Sequence, residues 1–177
     1  MSAVSHQEAP QLSPRGARLG LSRGGQESAG ERGHVGAAVD RKLGEAQELA
    51  TALTDRQQNR RPWLYWMTPG YLQRQEGIIC AHLANEPRWH ARAVTLLNAA
   101  NDMTGAWDSA GSLTWLAFAH TRADDVDQAC ATAVQAAGPV RQAGSVRLAG
   151  MLTQIRTDLA ARYPDDTRVK HLAEALA

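Results

Sequence analysis

From Val35 onward, apolar residues recur at intervals of three and four, which is the spacing of one face of an α-helix. The first such stripe consists of Val39, Leu43, Ala46, Ala50 and Leu53. It predicts a helix over residues 36–54, which must end before Pro62. No alternation of apolar and polar residues continues beyond a few positions, so no strand is expected. The spacing therefore predicts an all-α fold.

Further helices are predicted between breaks that are rich in Pro, Gly, Asn and Asp. Their expected ranges are 69–84, 87–101, 109–122, 125–137, 142–162 and 166–176. Thr68-Pro69 has the form of an N-cap followed by proline at the first helical position. Gly138-Pro139 is expected to end the helix over 125–137. Abundant alanine, the best helix former, agrees with this reading.

Residues 1–35 contain almost no large apolar side chains. Such a segment cannot bury enough surface to offset the entropy of ordering it, so we expect a disordered tail. Its arginines are nearly balanced by Glu8, Glu27 and Glu31, so we do not expect it to bind nucleic acid. A start codon assigned too far upstream would give the same composition, which leaves open whether the segment is translated. The folded domain is predicted to span residues 36–177.

The net charge, the apolar runs and the cysteine spacing indicate which classes of protein are not expected. The 19 basic and 18 acidic residues give a net charge of +1, without the surplus typical of nucleic-acid-binding domains. No apolar run is long enough to span a membrane, and the N-terminus lacks the pattern of a signal peptide. We therefore expect a cytoplasmic protein that contacts neither a membrane nor nucleic acid directly. Cys80 and Cys130 form no CxxC pair and are predicted to be buried thiols.

One pair of predicted helices carries a recognisable repeat. Its first helix has Leu113, Leu116, Ala117 and His120, and its second has Ala129, Ala133 and Ala136. The 12-residue step from Ala117 to Ala129 and the intervening Asp-rich turn resemble the tetratricopeptide repeat. Small residues at these points let the two helices of a hairpin approach closely, and large ones fill the adjoining space.

The preceding helix pair fits the repeat less well. Gly77 and Cys80 match its first helix, and the second helix has Ala93, Leu97 and Ala100. The step from Gly77 to Ala93 is 16 residues, and Gln73 and Glu76 stand where large apolar residues are usual. Ala93 and Ala129 are 36 residues apart, close to the repeat period of about 34. We expect antiparallel helix hairpins stacked as a short tetratricopeptide-like α-solenoid.

A more particular resemblance covers residues 36–177. The residues that carry it are Arg61-Pro62-Trp63-Leu64-Tyr65-Trp66, Gly77, the turn at Asp124–Asp127 and Ser145-Val146-Arg147. Together they resemble the C-terminal domain of actinobacterial XRE-type transcriptional regulators, which carry an N-terminal helix-turn-helix followed by tetratricopeptide-like repeats. The resemblance implies a sensor or dimerisation module whose partner is a protein, a peptide or a second copy of the chain.

The chain departs from these regulators in one respect: residues 1–35 do not have the pattern of a helix-turn-helix. Direct DNA binding is therefore not carried over from the resemblance. The alternative is that the chain is a fragment of a longer XRE-type transcription factor, which an in-frame helix-turn-helix upstream would indicate.

The concave surface of such a solenoid is lined mainly by the first helix of each pair. The repeat register places eight residues on it: Tyr71, Arg74, Ile78, His82, Thr114, Phe118, Arg122 and Arg156. Exposed arginine and aromatic side chains are good anchors for a peptide, although an ordinary solvated face would have the same composition. The aromatic group Trp63, Tyr65 and Trp66 is interpreted either as core packing or as a ligand-binding patch.

No pattern of catalytic residues is present. GxSxG, the phosphate-binding P-loop and GxGxxG are absent, so no enzyme activity and no cofactor are predicted. His82, His90 and His120 show neither HxxxH nor HExxH spacing, so no metal site is predicted. Asp124, Asp125 and Asp127 lack the calcium loop of an EF-hand and are interpreted as N-cap carboxylates of the following helix.

Overall fold

The computed structural model describes residues 24–55, 69–102 and 106–176. These ranges contain seven α-helices and no strand, which confirms the all-α prediction. The helices are α1 (Gly24–Asp55), α2 (Pro69–His82), α3 (Pro87–Asp102), α4 (Ala106–Arg122), α5 (Val126–Ala143), α6 (Val146–Arg162) and α7 (Thr167–Ala175).

The chain divides into two compact units, Met1–Gly44 and Glu45–Ala177, and the boundary falls within α1. Helix α1 begins at Gly24, 12 residues before the predicted start of the first helix at residue 36. Good helix formers in this segment account for the difference. They are Gln26, Glu27, Ala29, Glu31 and Arg32. The prediction for residues 1–23 lies outside the described part of the chain.

In the second unit, successive helices pack in pairs. Helix α2 contacts α3, α4 contacts α5, and α6 contacts α7. The first helix of each pair also contacts the first helix of the next, α2 with α4 and α4 with α6. Three further contacts, α3 with α4, α5 with α6 and α5 with α7, join each pair to its successor.

The main core lies between α4, α5, α6 and α7, and alanine makes it compact. The alanines predicted from the repeat, Ala117, Ala129, Ala133 and Ala136, are fully buried. Larger side chains from the last two helices complete the cluster. These are Leu152, Ile155, Leu159, Val169 and Leu172. The predicted close contact through small residues is therefore confirmed for α4 and α5.

Gly77 allows α2 to approach α3 closely. A Cβ atom at this position would lie 3.0 Å from Leu97 Cγ and 3.2 Å from Leu96 Cβ, closer than side chains normally pack. Trp89, in the first turn of α3, is 2% exposed and belongs to the core, which the sequence did not predict. Cys80 is buried, as is Cys130 on α5, so the prediction of buried thiols is confirmed.

The predicted end of α5 at Gly138-Pro139 is wrong. The helix continues through Pro139 to Ala143 and ends where Gly144 adopts a left-handed conformation with φ 62°. Proline cannot donate the helical hydrogen bond and so destabilises this turn. Val140 lies in the next position and is buried in the core. Its burial offsets part of that cost, because apolar burial stabilises the folded state.

Candidate functional site

The turn between α4 and α5 contains hydrogen bonds that fix its backbone. Asp124 is in the left-handed region with φ 64°. Its N–H donates to Thr121 O at 3.4 Å, and the N–H of Asp125 donates to His120 O at 3.0 Å. This is the Schellman arrangement that ends many helices. Asp125 is also the N-cap of α5, because its Oδ1 accepts from Gln128 N at 3.2 Å. The predicted N-cap role of the Asp-rich turn is thereby confirmed for Asp125.

This turn brings Asp125 next to two histidines from different helices. His90 Nε2 on α3 lies 3.0 Å from His120 Nδ1 on α4, within hydrogen-bonding distance. His120 Nδ1 also lies 3.7 Å from Asp125 Oδ2. One ligand atom from each residue, a ring nitrogen or a carboxylate oxygen, lies within 4.8 Å of the other two. The structure therefore assembles two imidazoles and a carboxylate, which we call the His-His-Asp cluster.

The environment keeps His120 neutral at pH 7. The side chain is buried, and burial lowers the pKa of its imidazole below the usual 6.5, because the charged form loses hydration. The neighbouring His90 lowers this pKa further, and Asp125 opposes both effects. Neutral imidazole is the form that accepts hydrogen bonds and binds metal ions.

Both histidines lie on the wall of a cleft of about 580 Å³ between α3, α4 and α5. Most of the other lining side chains that can form hydrogen bonds come from α3 and α5. They are Asn98, Asn101, Gln128, Thr132 and Gln135. A small polar molecule can therefore reach the cluster from one side.

The sequence did not predict this cluster. His90 and His120 are 30 residues apart, and a search for histidines at fixed spacing on one helix does not find such a pair. The proximity depends on the docking of α3 against α4. One sequence feature did indicate part of the cluster: Asp125 follows His120 by five residues across a predicted tight turn, which brings these two residues close together.

Among the residues predicted for the concave surface, His82 and Phe118 come together. Their ring centroids are 5.4 Å apart, and Trp115, which was not predicted, lies 5.1 Å from His82 and 5.6 Å from Phe118. His82 is exposed, and the two larger rings are half-buried.

Phe118 and Arg122 also line a second cleft, of about 560 Å³, together with residues of α6. On that side, Arg162 Nη1 lies 2.6 Å from Asp124 Oδ1, and Arg162 Nη2 donates to Thr121 O at 3.2 Å. These bonds connect the end of α6 to the α4–α5 turn. We call the group of His82, Trp115, Phe118 and Arg122 the aromatic surface.

The other predicted surface residues lie in different environments. Tyr71, Arg74 and Ile78 are half-buried on α2, and Arg156 is half-buried on α6. Thr114 is fully buried and its hydroxyl donates to Ala110 O at 2.7 Å. The prediction that Thr114 lies on the concave surface is therefore wrong, because its side chain is not accessible to a ligand. The aromatic group Trp63, Tyr65 and Trp66 lies outside the described residues.

Comparison of the chain with protein-family models, curated proteins and solved structures finds no significant match. The resemblance to the XRE-type regulators therefore stays a prediction. Within the described ranges, no helix combines the length and the apolar character needed to cross a membrane.

Proposed function

We propose that residues 36–177 form a tetratricopeptide-like module that binds a protein or peptide. It would act as the sensor or dimerisation part of an actinobacterial transcriptional regulator in the cytoplasm. The observation that carries this proposal is the aromatic surface, in which an exposed histidine and an exposed arginine flank two half-buried rings. Aromatic and arginine side chains at such positions are the residues that most often dominate binding energy in protein interfaces.

The contacts among the rings support a role in binding. Trp115 and Phe118 meet edge to face, with an interplanar angle of 87°, and His82 packs against both. Aromatic rings that already contact one another lose little side-chain freedom when a ligand arrives. The aromatic surface is therefore preorganised, which lowers the entropic cost of binding.

The charges around the second cleft indicate which peptide would fit. Arg122 is exposed at the cleft beside Phe118, and the carboxylate of Asp158 lies on the opposite helix. An apolar or aromatic peptide side chain would pack on Phe118, and an adjacent acidic group would pair with Arg122. The proposed ligand is therefore a peptide segment with a large apolar residue next to Asp, Glu or a terminal carboxylate.

The packing of the helices is consistent with this function. The first helices of successive pairs contact each other, α2 with α4 and α4 with α6, as they do in repeat proteins that present one continuous face. The aromatic surface draws its residues from two of these first helices, α2 and α4. A peptide that crosses this face would contact more than one helix pair.

The test is a selection of binders from a displayed library of random peptides on the full chain. The affinity of a selected peptide is then measured for the wild type, Phe118→Ala, Arg122→Ala and the control Arg147→Ala. Arg147 is exposed on α6 and is not part of the aromatic surface. We expect the first two substitutions to weaken binding by about tenfold or more and the control to leave it unchanged. Equal affinities for all four proteins would show that the peptide binds elsewhere.

A separate experiment tests whether the aromatic surface binds a second copy of the chain. Sedimentation of the wild type over a range of concentrations reports whether two copies associate. If they do, Phe118→Ala should shift the equilibrium towards the monomer. A dimer that Phe118→Ala leaves intact would place the interface away from the aromatic surface.

A further inference from the structure

We propose that His90, His120 and Asp125 form a binding site for one divalent transition-metal ion, with Zn²⁺ as the preferred ion. This proposal does not depend on the peptide-binding function, because the His-His-Asp cluster and the aromatic surface share no residue.

The distances between the ligand atoms fit a tetrahedral ion. Zn²⁺ binds histidine nitrogen and carboxylate oxygen at about 2.0–2.2 Å, so two of its tetrahedral ligands lie about 3.3 Å apart. The separations observed here are 3.0 Å between the two imidazole nitrogens and 3.7 Å between His120 Nδ1 and Asp125 Oδ2. One is slightly shorter and the other slightly longer than the ideal value. The remaining pair, His90 and Asp125, lies within 4.8 Å, so side-chain shifts of up to about 1.5 Å bring all three groups to one ion.

The chemistry of the three groups selects the class of ion. Two imidazoles and one carboxylate suit Zn²⁺, Co²⁺ and Ni²⁺, whereas Ca²⁺ and Mg²⁺ prefer shells of oxygen atoms.

Backbone contacts hold the carboxylate in place. Asp125 Oδ1 accepts from Gln128 N, and the N–H of Asp125 donates to the main-chain oxygen of His120. Oδ2 lies 3.7 Å from His120 Nδ1 and is the oxygen that would bind the ion. Hydrogen bonds of this kind orient metal ligands and raise metal affinity. His120 and Asp125 are thus fixed relative to each other by one turn, and His90 approaches from a separate helix.

The cleft provides the fourth coordination position. Since His90 and His120 line a cleft of about 580 Å³, a water molecule or a small ligand can reach the ion. Zinc sites with three protein ligands and one exchangeable ligand have this arrangement. The alternative is that the His90–His120 hydrogen bond only joins α3 to α4, in which case the cluster binds no ion.

The experiment uses the full chain without an affinity tag, stripped of metal with a chelator. Titration with ZnCl₂ in a calorimeter gives the stoichiometry and the Kd, and substitution with Co²⁺ reports tetrahedral coordination by visible absorption. The variants are His90→Asn, Asp125→Asn and the control His171→Asn. Asparagine remains a good N-cap, so Asp125→Asn removes the metal ligand and keeps the turn. His171 is exposed on α7, beside Glu174 and outside the cluster.

We expect one Zn²⁺ per chain with a Kd in the micromolar range or below. His90→Asn and Asp125→Asn should each raise this Kd by about tenfold or more, and His171→Asn should leave it unchanged. The melting temperature of the wild type should rise with Zn²⁺, because the ion binds the folded state.

Two results would overturn the proposal. One is a wild-type protein that binds Zn²⁺ no more tightly than Asp125→Asn and His90→Asn do. The other is a Co²⁺ spectrum that is the same in the wild type and in both cluster variants. Circular dichroism of the metal-free variants checks that they are folded, and if His90→Asn does not fold, Asp125→Asn decides alone.

Discussion

Arg92 Nε donates to one carboxylate oxygen of Glu76 at 2.7 Å, and Arg92 Nη2 lies 2.6 Å from the same oxygen in an ion pair. The second oxygen of Glu76 accepts from Gln47 Nε2 at 2.6 Å. Glu76 is only 5% exposed, at a position where the repeat pattern favours a large apolar residue. Hydrogen bonds to both carboxylate oxygens explain how α2 can bury this group, since an unpartnered buried charge is strongly destabilising.

Removing this carboxylate should destabilise the fold. Glu76→Ala removes the carboxylate that accepts from Arg92 and Gln47, and we expect a loss of about 2–3 kcal/mol of unfolding free energy, measured by urea denaturation. The estimate is below that for a fully buried pair because the Arg92 side chain is 36% exposed. Glu174→Ala, at an exposed pair with His171, is the control and should change the stability by less than about 0.5 kcal/mol. Equal effects of the two substitutions would mean that the buried bonds contribute nothing.

Gly77 and Gly150 should respond in opposite directions to alanine. A Cβ at Gly77 would press on Leu97 and Leu96 across the α2–α3 contact, whereas one at Gly150 would meet nothing within 4 Å. We expect Gly77→Ala to destabilise the protein by about 1–2 kcal/mol, after the gain in helix propensity is subtracted. Gly150→Ala should stabilise it by about 0.5–1 kcal/mol. Thermal melts of both variants test this, and a gain in stability from Gly77→Ala would contradict the close approach of the helices.

Replacing Pro139 with alanine should stabilise the protein. The substitution restores an N–H that can donate to the carbonyl four residues earlier, inside the continuous helix α5. The unfolded chain gains freedom at the same time, so the expected net gain is about 1 kcal/mol. Gly150→Ala, at an open helical position of α6, is the comparison and should also stabilise. A loss of stability in Pro139→Ala alone would indicate that the proline ring packs favourably.

The pair of half-buried Asp166 and exposed Arg168 predicts a dependence of stability on pH. Hydrogen bonds from the Arg168 side chain and backbone lower the pKa of Asp166 to about 2, from 3.8. The stabilisation is therefore fully present above pH 3.8 and is lost as the pH falls through about 2. Asp166→Asn keeps an N-cap at the start of α7 but removes the charge. The difference in melting temperature between this variant and the wild type should be largest near neutral pH and should vanish near pH 2.

Two further comparisons test that account of Asp166. Added salt should reduce the effect, because the Arg168 side chain is 48% exposed and the pair lies at the protein surface. Asp165→Asn, at an exposed neighbouring position, is the control substitution. A difference for Asp166→Asn that stays constant from pH 7 to pH 2 would show that the charge on Asp166 is not involved.

The positions of most helices were predictable from the sequence, because the apolar stripes and their breaks are local features. The errors occur where tertiary packing outweighs a local signal. Pro139 is expected to end a helix, yet burial of the adjacent Val140 continues it. Thr114 was expected on an exposed face, but it shares a buried stripe of α4 with Ala110 and Ala117. Threonine can occupy such a stripe because its hydroxyl donates to the carbonyl one turn earlier.

The candidate sites were predictable to different degrees. His82 and Phe118 follow from the repeat register, since each lies on the first helix of its pair. Their contact with Trp115 depends on how α2 docks against α4. The His-His-Asp cluster depends on the docking of α3 against α4, and no local pattern encodes it. Sequence periodicity describes single helices, whereas both sites are formed between helices.

The turn between α4 and α5 has no spare residue. The three residues 123–125 end one helix, supply a left-handed position at Asp124 and cap the next helix through Asp125. Inserting or deleting one residue here would rotate α5 relative to α4 by about 100°, since an α-helix has about 3.6 residues per turn. The alanines of α5 would then turn away from the core, and the carboxylate of Asp125 would leave the two imidazoles. Folding and the proposed metal site therefore depend on the same loop length, and a change in that length would remove both together.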